Sequence, residues 1–421
     1  MTAIKTRLGI YCPGVGTGGP WRYVHSVLAG LDPAEFDVTV FCDLPGPYAP
    51  RPWVNVVRLG GPPAPPGPPP PLTAVAASRR GLPPPLLRWA GFAQEARRLA
   101  RVFRAHPVDL LHTQCTGCEE SPVAARLAGV PRVLGTFHVN SSLDLHGVRS
   151  GPSYRVLEHV SNRCLDAAIA VSHATRRDWV ARTHIPAGRV VAIHNGIDPE
   201  EYRPTPGTDV LAKHGIDPEQ PFLLFVGRIT RQKGIIHLVN AIPRIDPALQ
   251  IVLCAGAPDT PEIGREMEEG VAKVAAQRPG VIWIREMISR PEVIQLYTHA
   301  AVFCCPSVYE PFGIINLEAM ACETAVVASA VGGIPEVVVP NETGFLVDPG
   351  LVPGTFDPAD PVAFSAGLAD AINELAQNPA LRARFAKAGR ERAIAHFSWD
   401  AIAQTTVALY RSVMEQRAEI E

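Results

Sequence analysis

Short apolar runs alternate with stretches whose apolar residues recur every three to four positions, almost from one end of the chain to the other. The runs read as strands: Arg7–Tyr11, Asp37–Cys42, Asp109–His112, Arg132–Phe137, Ala167–Val171 and Val190–His194, then Phe222–Val226, Gln250–Cys254, Val281–Ile284, Ala301–Cys305, Ala325–Ala328 and Phe345–Val347. The periodic stretches, among them Trp21–Ala29, Leu86–Ala105, Ile235–Ile242, Glu262–Ala276 and Ile314–Cys322, read as helices. Alternation of this kind with apolar strands predicts parallel sheets covered on both faces. Twelve strands suit two doubly wound, Rossmann-like α/β domains better than one sheet. The break falls between His194 and Phe222, where Asn195-Gly196-Ile197-Asp198-Pro199 opens a stretch with Pro204, Pro206 and Gly207. The predicted domains are residues 1–198 and 199–398, with a helical pattern from Asp360 to the end. Residues 61–71, eight of them proline, read as an extended surface loop.

A chain of 421 residues has room for two cores. Its 39 basic and 41 acidic residues argue against a nucleic-acid binder. No apolar run approaches a membrane span, and Met1-Thr2-Ala3-Ile4-Lys5-Thr6-Arg7 leads into a strand rather than a secretory signal. The nine cysteines are an odd count and several lie in apolar runs, which suits buried thiols in a reducing cytoplasm. Cys115-Thr116-Gly117-Cys118 lacks a second ligand pair for zinc and reads as two unpaired thiols in a loop.

The chemistry concentrates in Glu310-Pro311-Phe312-Gly313-Ile314-Ile315-Asn316-Leu317-Glu318. Pro311 and Gly313 break regular structure and an apolar helical pattern follows. Glu310 is therefore expected on a loop, Gly313 at the mouth of a helix, and Glu318 near its second turn, facing the same way. A helix start with a bare glycine suits an anion, because free N–H groups and the positive dipole end point outward. Two carboxylates flanking an anion site fit a ligand with hydroxyls on both sides of a phosphate, such as a nucleotide-sugar. The sugar then meets Glu310 and the ribose Glu318.

Three further features point to phosphate. Gly14-Val15-Gly16-Thr17-Gly18-Gly19 follows the first strand and precedes a helix, though its spacing is not the dinucleotide fingerprint. Gly227-Arg228-Ile229-Thr230-Arg231-Gln232-Lys233-Gly234 follows the strand Phe222–Val226; Arg228 and Lys233 suit two phosphates, one as a fork and one as a point charge. His138 stands at a carboxyl strand end. No Asp-x-Asp occurs, so Arg228, Lys233 and the helix at Gly313 are expected to supply the positive charge without a metal.

Arg228-x4-Lys233 followed by Glu310-x7-Glu318 resembles the retaining nucleotide-sugar glycosyltransferases of the GT-B fold, which include glycogen synthases and phosphatidylinositol mannosyltransferases. Ser172, Asn195-Gly196-Ile197-Asp198, Gly332-Gly333-Ile334-Pro335-Glu336 and Gly344-Phe345-Leu346-Val347 match the family's habits, as does Phe397-Ser398-Trp399. The resemblance implies two Rossmann-like domains facing across a cleft, the first binding acceptor and the second donor. It also implies a last helix, residues 399–421, crossing back to the first domain. Phe222–Pro349 is most similar to the actinobacterial glycogen synthase or maltose-1-phosphate synthase type, which implies ADP-glucose or UDP-glucose as donor. The first half departs: Gly16 stands where glycogen synthases carry lysine, and His112-Thr113-Gln114-Cys115 where they carry His-Ala-His-Asp. The acceptor is left open among glycan, sugar phosphate, small molecule and lipid, and two parents for the two halves is an expectation to test.

By the same resemblance, a hexose moves with retained α-configuration and no cofactor. Arg228, Lys233 and the backbone of Phe312, Gly313, Ile314 and Ile315 stabilise the leaving diphosphate, with Gly18 and Gly19 assisting. Glu310 grips the hexose, Glu318 the ribose, and His138 the C6 side of the sugar. A glycosyl phosphorylase or nucleotide-sugar epimerase shares the scaffold. A catalytically silent sugar-nucleotide binder is a further alternative, against which the complete motifs speak. The arginine-rich helix Leu86–Ala105, with Trp89 and Phe92, suggests either a solvated flank or weak contact with anionic lipid on the inner membrane face.

Overall fold

A computed structural model of the chain describes residues 5–13, 19–43, 51–59, 84–115, 120–139, 152–183 and 185–415. The polyproline stretch 61–71, the glycines from Gly14 to Gly18, and Cys118 lie outside the described residues. The described chain divides into two compact units, and the second begins at Asn195 and ends at Ser398.

The first unit contains strands β1 (Thr6–Tyr11), β2 (Phe36–Cys42), β3 (Val54–Arg58), β4 (Leu110–Cys115), β5 (Arg132–Phe137), β6 (Ala167–Ala170) and β7 (Val190–Ala192). Its helices are α1 (Gly19–Gly30), α2 (Pro84–Ala105), α3 (Ser121–Ala128), α4 (Pro152–Arg163) and α5 (His173–Thr183). The second unit contains β8 (Phe222–Arg228), β9 (Gln250–Gly256), β10 (Val281–Ile284), β11 (Val302–Cys305), β12 (Ala325–Ser329) and β13 (Gly344–Val347). Its helices are α6 (Asp209–Lys213), α7 (Ile235–Ala241), α8 (Pro261–Ala275), α9 (Arg290–His299), α10 (Ile314–Ala321), α11 (Ile334–Val337), α12 (Pro361–Gln377) and α13 (Pro379–Phe397). The last helix, α14 (Trp399–Glu415), belongs to the first unit.

Both sheets are parallel, in the orders β3-β2-β1-β4-β5-β6-β7 and β10-β9-β8-β11-β12-β13. β3 is a strand that the apolar pattern misses. It lies at the sheet edge with no fully buried residue, so it lacks the continuous apolar run of inner strands such as β9, which is buried throughout. Sequence signals set the helix starts. Thr260, Asp360 and Asn378 each accept a main-chain N–H at an N-cap, with proline next in line. Ser289 and Glu292 form a reciprocal capping box on α9.

In the first unit, alternate strand residues feed two core layers. Leu8, Ile10, Val38 and Val40 pack with α1 and with Ile402, Val407 and Tyr410 of α14. Tyr11, Phe41 and Leu111 pack with Leu99 and Phe103 of α2 and Trp179 of α5. A Cβ on Gly30 of α1 would stand 2.7 Å from the Cβ of Ala403 on α14, so these helices meet through small residues. The second unit has its own core around Leu223, Phe225, Ile251, Leu253, Val302 and Val327.

Candidate functional site

The second sheet reverses its strand order between β8 and β11. In an open parallel sheet, ligands bind beyond the carboxyl ends of the strands at such a switch point. The chain leaving β8 carries Lys233, and the chain leaving β11 carries Ser307, Glu310 and Gly313.

Main-chain bonds sew these two loops together. The Gln232 carbonyl accepts from the amides of Val308 (2.8 Å) and Tyr309 (3.3 Å). Gly234 has φ 59°, and a Cβ there would stand 2.1 Å from the Pro306 carbonyl oxygen, so only glycine fits. This apposition brings Lys233 Nζ to 2.7 Å from Glu310 Oε2, with the side chains only 19% and 10% exposed. Ser307 Oγ donates to the same oxygen at 3.4 Å. Burial is the largest single effect on Lys233 and lowers its pKa, but the Glu310 charge, the neighbouring Cys305 and the hydrogen bond to Glu310 together outweigh it; the pKa is raised and the ammonium persists. Arg228, half exposed, donates to Asp259 Oδ1 at 2.8 Å, in the chain that leaves β9.

A third loop, after β12, fixes the Glu310 backbone. The Gly333 amide donates to the Glu310 carbonyl at 3.0 Å. A Cβ on Gly332 would stand 1.9 Å from that same carbonyl oxygen, and one on Gly333 2.6 Å from Phe312 Cα. The Phe312 ring is buried, 5.9 Å from that of Phe397, so Phe312 offers a ligand only its backbone.

Gly313, at φ 108°, caps α10, and Ile314 and Ile315 form its half-buried first turn. Glu318 is buried in the second turn and accepts from Tyr202 Oη (2.9 Å, to Oε1) and Tyr297 Oη (3.2 Å, to Oε2). The two carboxylates thus have different partners, Lys233 for one and two tyrosines for the other.

In the first unit, the switch point lies between β1 and β4. Gly18 is outside the described residues, and Gly19 is the first residue of α1. His138 follows β5, partly buried, with Nε2 2.8 Å from Gln114 Oε1 on β4. Burial lowers its pKa to about 4, so the ring is neutral at pH 7. Behind it His112, fully buried, is pushed to about 3, by burial first and the neighbouring His138 second. Its Nδ1 lies 2.6 Å from Tyr410 Oη and its Nε2 2.6 Å from Thr136 Oγ1.

Sequence reasoning missed Asp259, Ser307, Tyr202, Tyr297 and Gln114. Asp259 had a signal, since it closes a run just beyond an apolar strand; the tyrosines and Gln114 had none. The lipid-contact expectation for α2 needs one correction: Phe92 is buried in the core rather than displayed beside Trp89. Of the arginines, Arg98 is tied to Glu95 and the Leu59 carbonyl and Arg104 to the Leu127 carbonyl. Arg97 and Arg101 stand on the exposed side with Trp89.

The family model for glycosyl transferases group 1 matches residues 208–392, and that for glycosyltransferase family 4 matches residues 17–201. An alpha-maltose-1-phosphate synthase of Mycolicibacterium smegmatis is 46% identical over 310 residues, covering 72% of this chain and 78% of its own length. The chain is a GT-B glycosyltransferase of group 1. A D-inositol 3-phosphate glycosyltransferase of Kribbella flavida is 30% identical to this transferase over 343 residues, 78% of the chain and 76% of the relative. Among solved structures, sucrose-phosphate synthase from Thermosynechococcus elongatus superposes with a TM-score of 0.73 at 26% identity, covering 98% of this chain and 100% of that one. Anabaena HepE, in complex with UDP and glucose, shares the fold with a TM-score of 0.71 at 20% identity, over 97% of this chain and 100% of its own. A match to 72% of the chain cannot fit within the second half alone, so the transferase resembles one relative across parts of both halves. Among the described residues, no helix is long and apolar enough to cross a membrane.

Proposed function

We propose that the transferase moves a glucosyl unit from ADP-glucose or UDP-glucose to a sugar phosphate, with retention of the α-configuration and without a metal. The observation that carries this reading is the Lys233–Glu310 pair at the switch point, a cation for the leaving diphosphate and an acid for the hexose 2.7 Å apart. Arg228 adds a second cation at the end of β8. Negative charge grows on the diphosphate as the C1–O bond breaks, and these cations, with the amides of Gly313, Ile314 and Ile315, act where it grows. Glu318 takes the ribose hydroxyls. The family resemblance assigns His138 to the C6 side of the hexose and Gly18 and Gly19 to the phosphates. The acceptor oxygen attacks C1 from the face the diphosphate leaves, and its proton passes to the departing phosphate, so no covalent nucleophile is needed.

The acceptor rests on the relatives. Maltose 1-phosphate is a glucosyl unit joined to glucose 1-phosphate, so glucose 1-phosphate is the acceptor to try first. Incubation with a panel of nucleotide-sugars, with and without glucose 1-phosphate, is expected to release nucleoside diphosphate and form an α-linked disaccharide phosphate, read by NMR. A hexose altered at one centre without acceptor would instead mark an epimerase, a β-linked product an inverting enzyme, and binding without turnover a silent binder. The same reading places the enzyme in the cytoplasm, with weak contact to anionic lipid on the inner membrane face through residues 86–105.

A further inference from the structure

Gln114 is a buried amide whose two ends both face histidines. Its Oε1 lies 2.8 Å from His138 Nε2, and its Nε2 lies 3.3 Å from His112 Nε2. Gln114 is 3% exposed, His112 1%, and Thr136, beside Gln114 in the β4–β5 register, 0%. An apolar side chain would fill this part of the first unit without two hydrogen bonds to satisfy.

We propose that Gln114 is a positioning residue for the donor hexose, because its amide dictates which nitrogen of His138 carries the proton. The inference rests on the reading that His138 meets the hexose. An amide oxygen only accepts, so His138 Nε2 is the protonated nitrogen, and in the neutral ring Nδ1 keeps its lone pair. His138 therefore offers the sugar an acceptor for a hydroxyl. The amide nitrogen only donates, and it lies 3.3 Å from His112 Nε2, whose single lone pair is also within 2.6 Å of Thr136 Oγ1. His112 Nδ1 lies 2.6 Å from Tyr410 Oη. The orientation of the Gln114 amide thus sets the His138 ring. Tyr23 lies edge-on to both imidazoles, 6.0 Å from each, and its hydroxyl bonds Thr406 at 2.9 Å on α14. Among the described residues, the ionisable groups packed around His138 in this network are His112, Tyr23 and Tyr410, all buried and neutral.

The test uses the full chain labelled with 15N-histidine, with His138 assigned from a His138→Gln sample. Long-range 1H–15N spectra at pH 8 are expected to show His138 as the Nε2–H tautomer in the wild type. Gln114→Leu removes the acceptor and is expected to mix the tautomers. The same change is expected to lower kcat for nucleotide release from the active nucleotide-sugar about tenfold, the worth of one hydrogen bond, with KM moved less than about twofold. Gln114→Glu keeps an acceptor oxygen in place and is expected to restore the tautomer and most of kcat. An Nδ1–H tautomer in the wild type overturns the proposal, and so does an unchanged tautomer in Gln114→Leu. A changed tautomer with unchanged kcat overturns it on the other side, because the donor then does not meet His138. Because the spectra need no turnover, they decide the tautomer even if the proposed glucosyl transfer fails.

Discussion

Lys233 and Glu310 neutralise each other at 2.7 Å in a largely buried place. A ligand that inserts a diphosphate beside Lys233 and a hexose beside Glu310 gives each a partner of the kind it already has. Removing either leaves the transition state one contact short, so Lys233→Ala or Glu310→Ala is expected to cut turnover at least roughly a hundredfold. Steady-state rates of both variants, with folding checked by circular dichroism, test this; near-native rates in both contradict it. His112, fully buried, and His138, partly buried, give a pH signature. His112 and His138 have pKa values of about 3 and about 4, against an ordinary 6.5. Below pH 6.5 the unfolded chain binds protons that the folded first unit refuses. Stability is therefore expected to be level above about pH 6.5 and to fall as pH drops toward 4. Denaturant titrations across that range check it, and a His138→Gln, His112→Gln variant is expected to flatten the slope. Arg228, Lys233, Glu310 and Glu318 were legible in the sequence because glycine and proline around them mark loop and helix start. Gln114, Tyr202 and Tyr297 were not, since strand register and helix packing, not neighbouring residues, decide what they touch.

The elements were legible where local chemistry agrees with burial. Apolar runs gave the inner strands; Thr260, Asp360 and Asn378, each followed by proline, and the Ser289–Glu292 capping box start four helices of the second unit. The half-exposed edge strand β3 gave no such signal. α14 joins the first unit through a close approach of Gly30 and Ala403. Gly30→Val is expected to cost about 1–3 kcal/mol by overpacking, and Ala403→Gly on the same chain to recover part of it. Chemical denaturation of the two single variants and the double measures this coupling; strict additivity would contradict the packing. On α2, Arg97, Arg101 and Trp89 share the exposed side, so any membrane contact is expected to be electrostatic. Co-sedimentation with anionic vesicles is expected and to be lost in high salt and in Arg97→Glu, Arg101→Glu. Equal binding to neutral vesicles contradicts it.

At the scale of the molecule, the two units have separate cores. The described cations proposed for the diphosphate, Arg228 and Lys233, belong to the second unit. A nucleoside diphosphate is therefore expected to stabilise that unit more than the first, by about 2.7 kcal/mol at a hundred times its Kd. Calorimetry with and without ADP or UDP reads this as an upward shift of one transition. The family and fold were legible because the motif pairs span a sheet switch point. The acceptor was not, because the first half departs from the glycogen-synthase pattern, at Gly16 and in His112-Thr113-Gln114-Cys115. The most direct measurement is a crystal structure with the preferred nucleotide-sugar bound. The diphosphate is expected within hydrogen-bond distance of Arg228 and Lys233, the hexose on Glu310 and the ribose on Glu318. A nucleotide-sugar seated away from these four residues would contradict it.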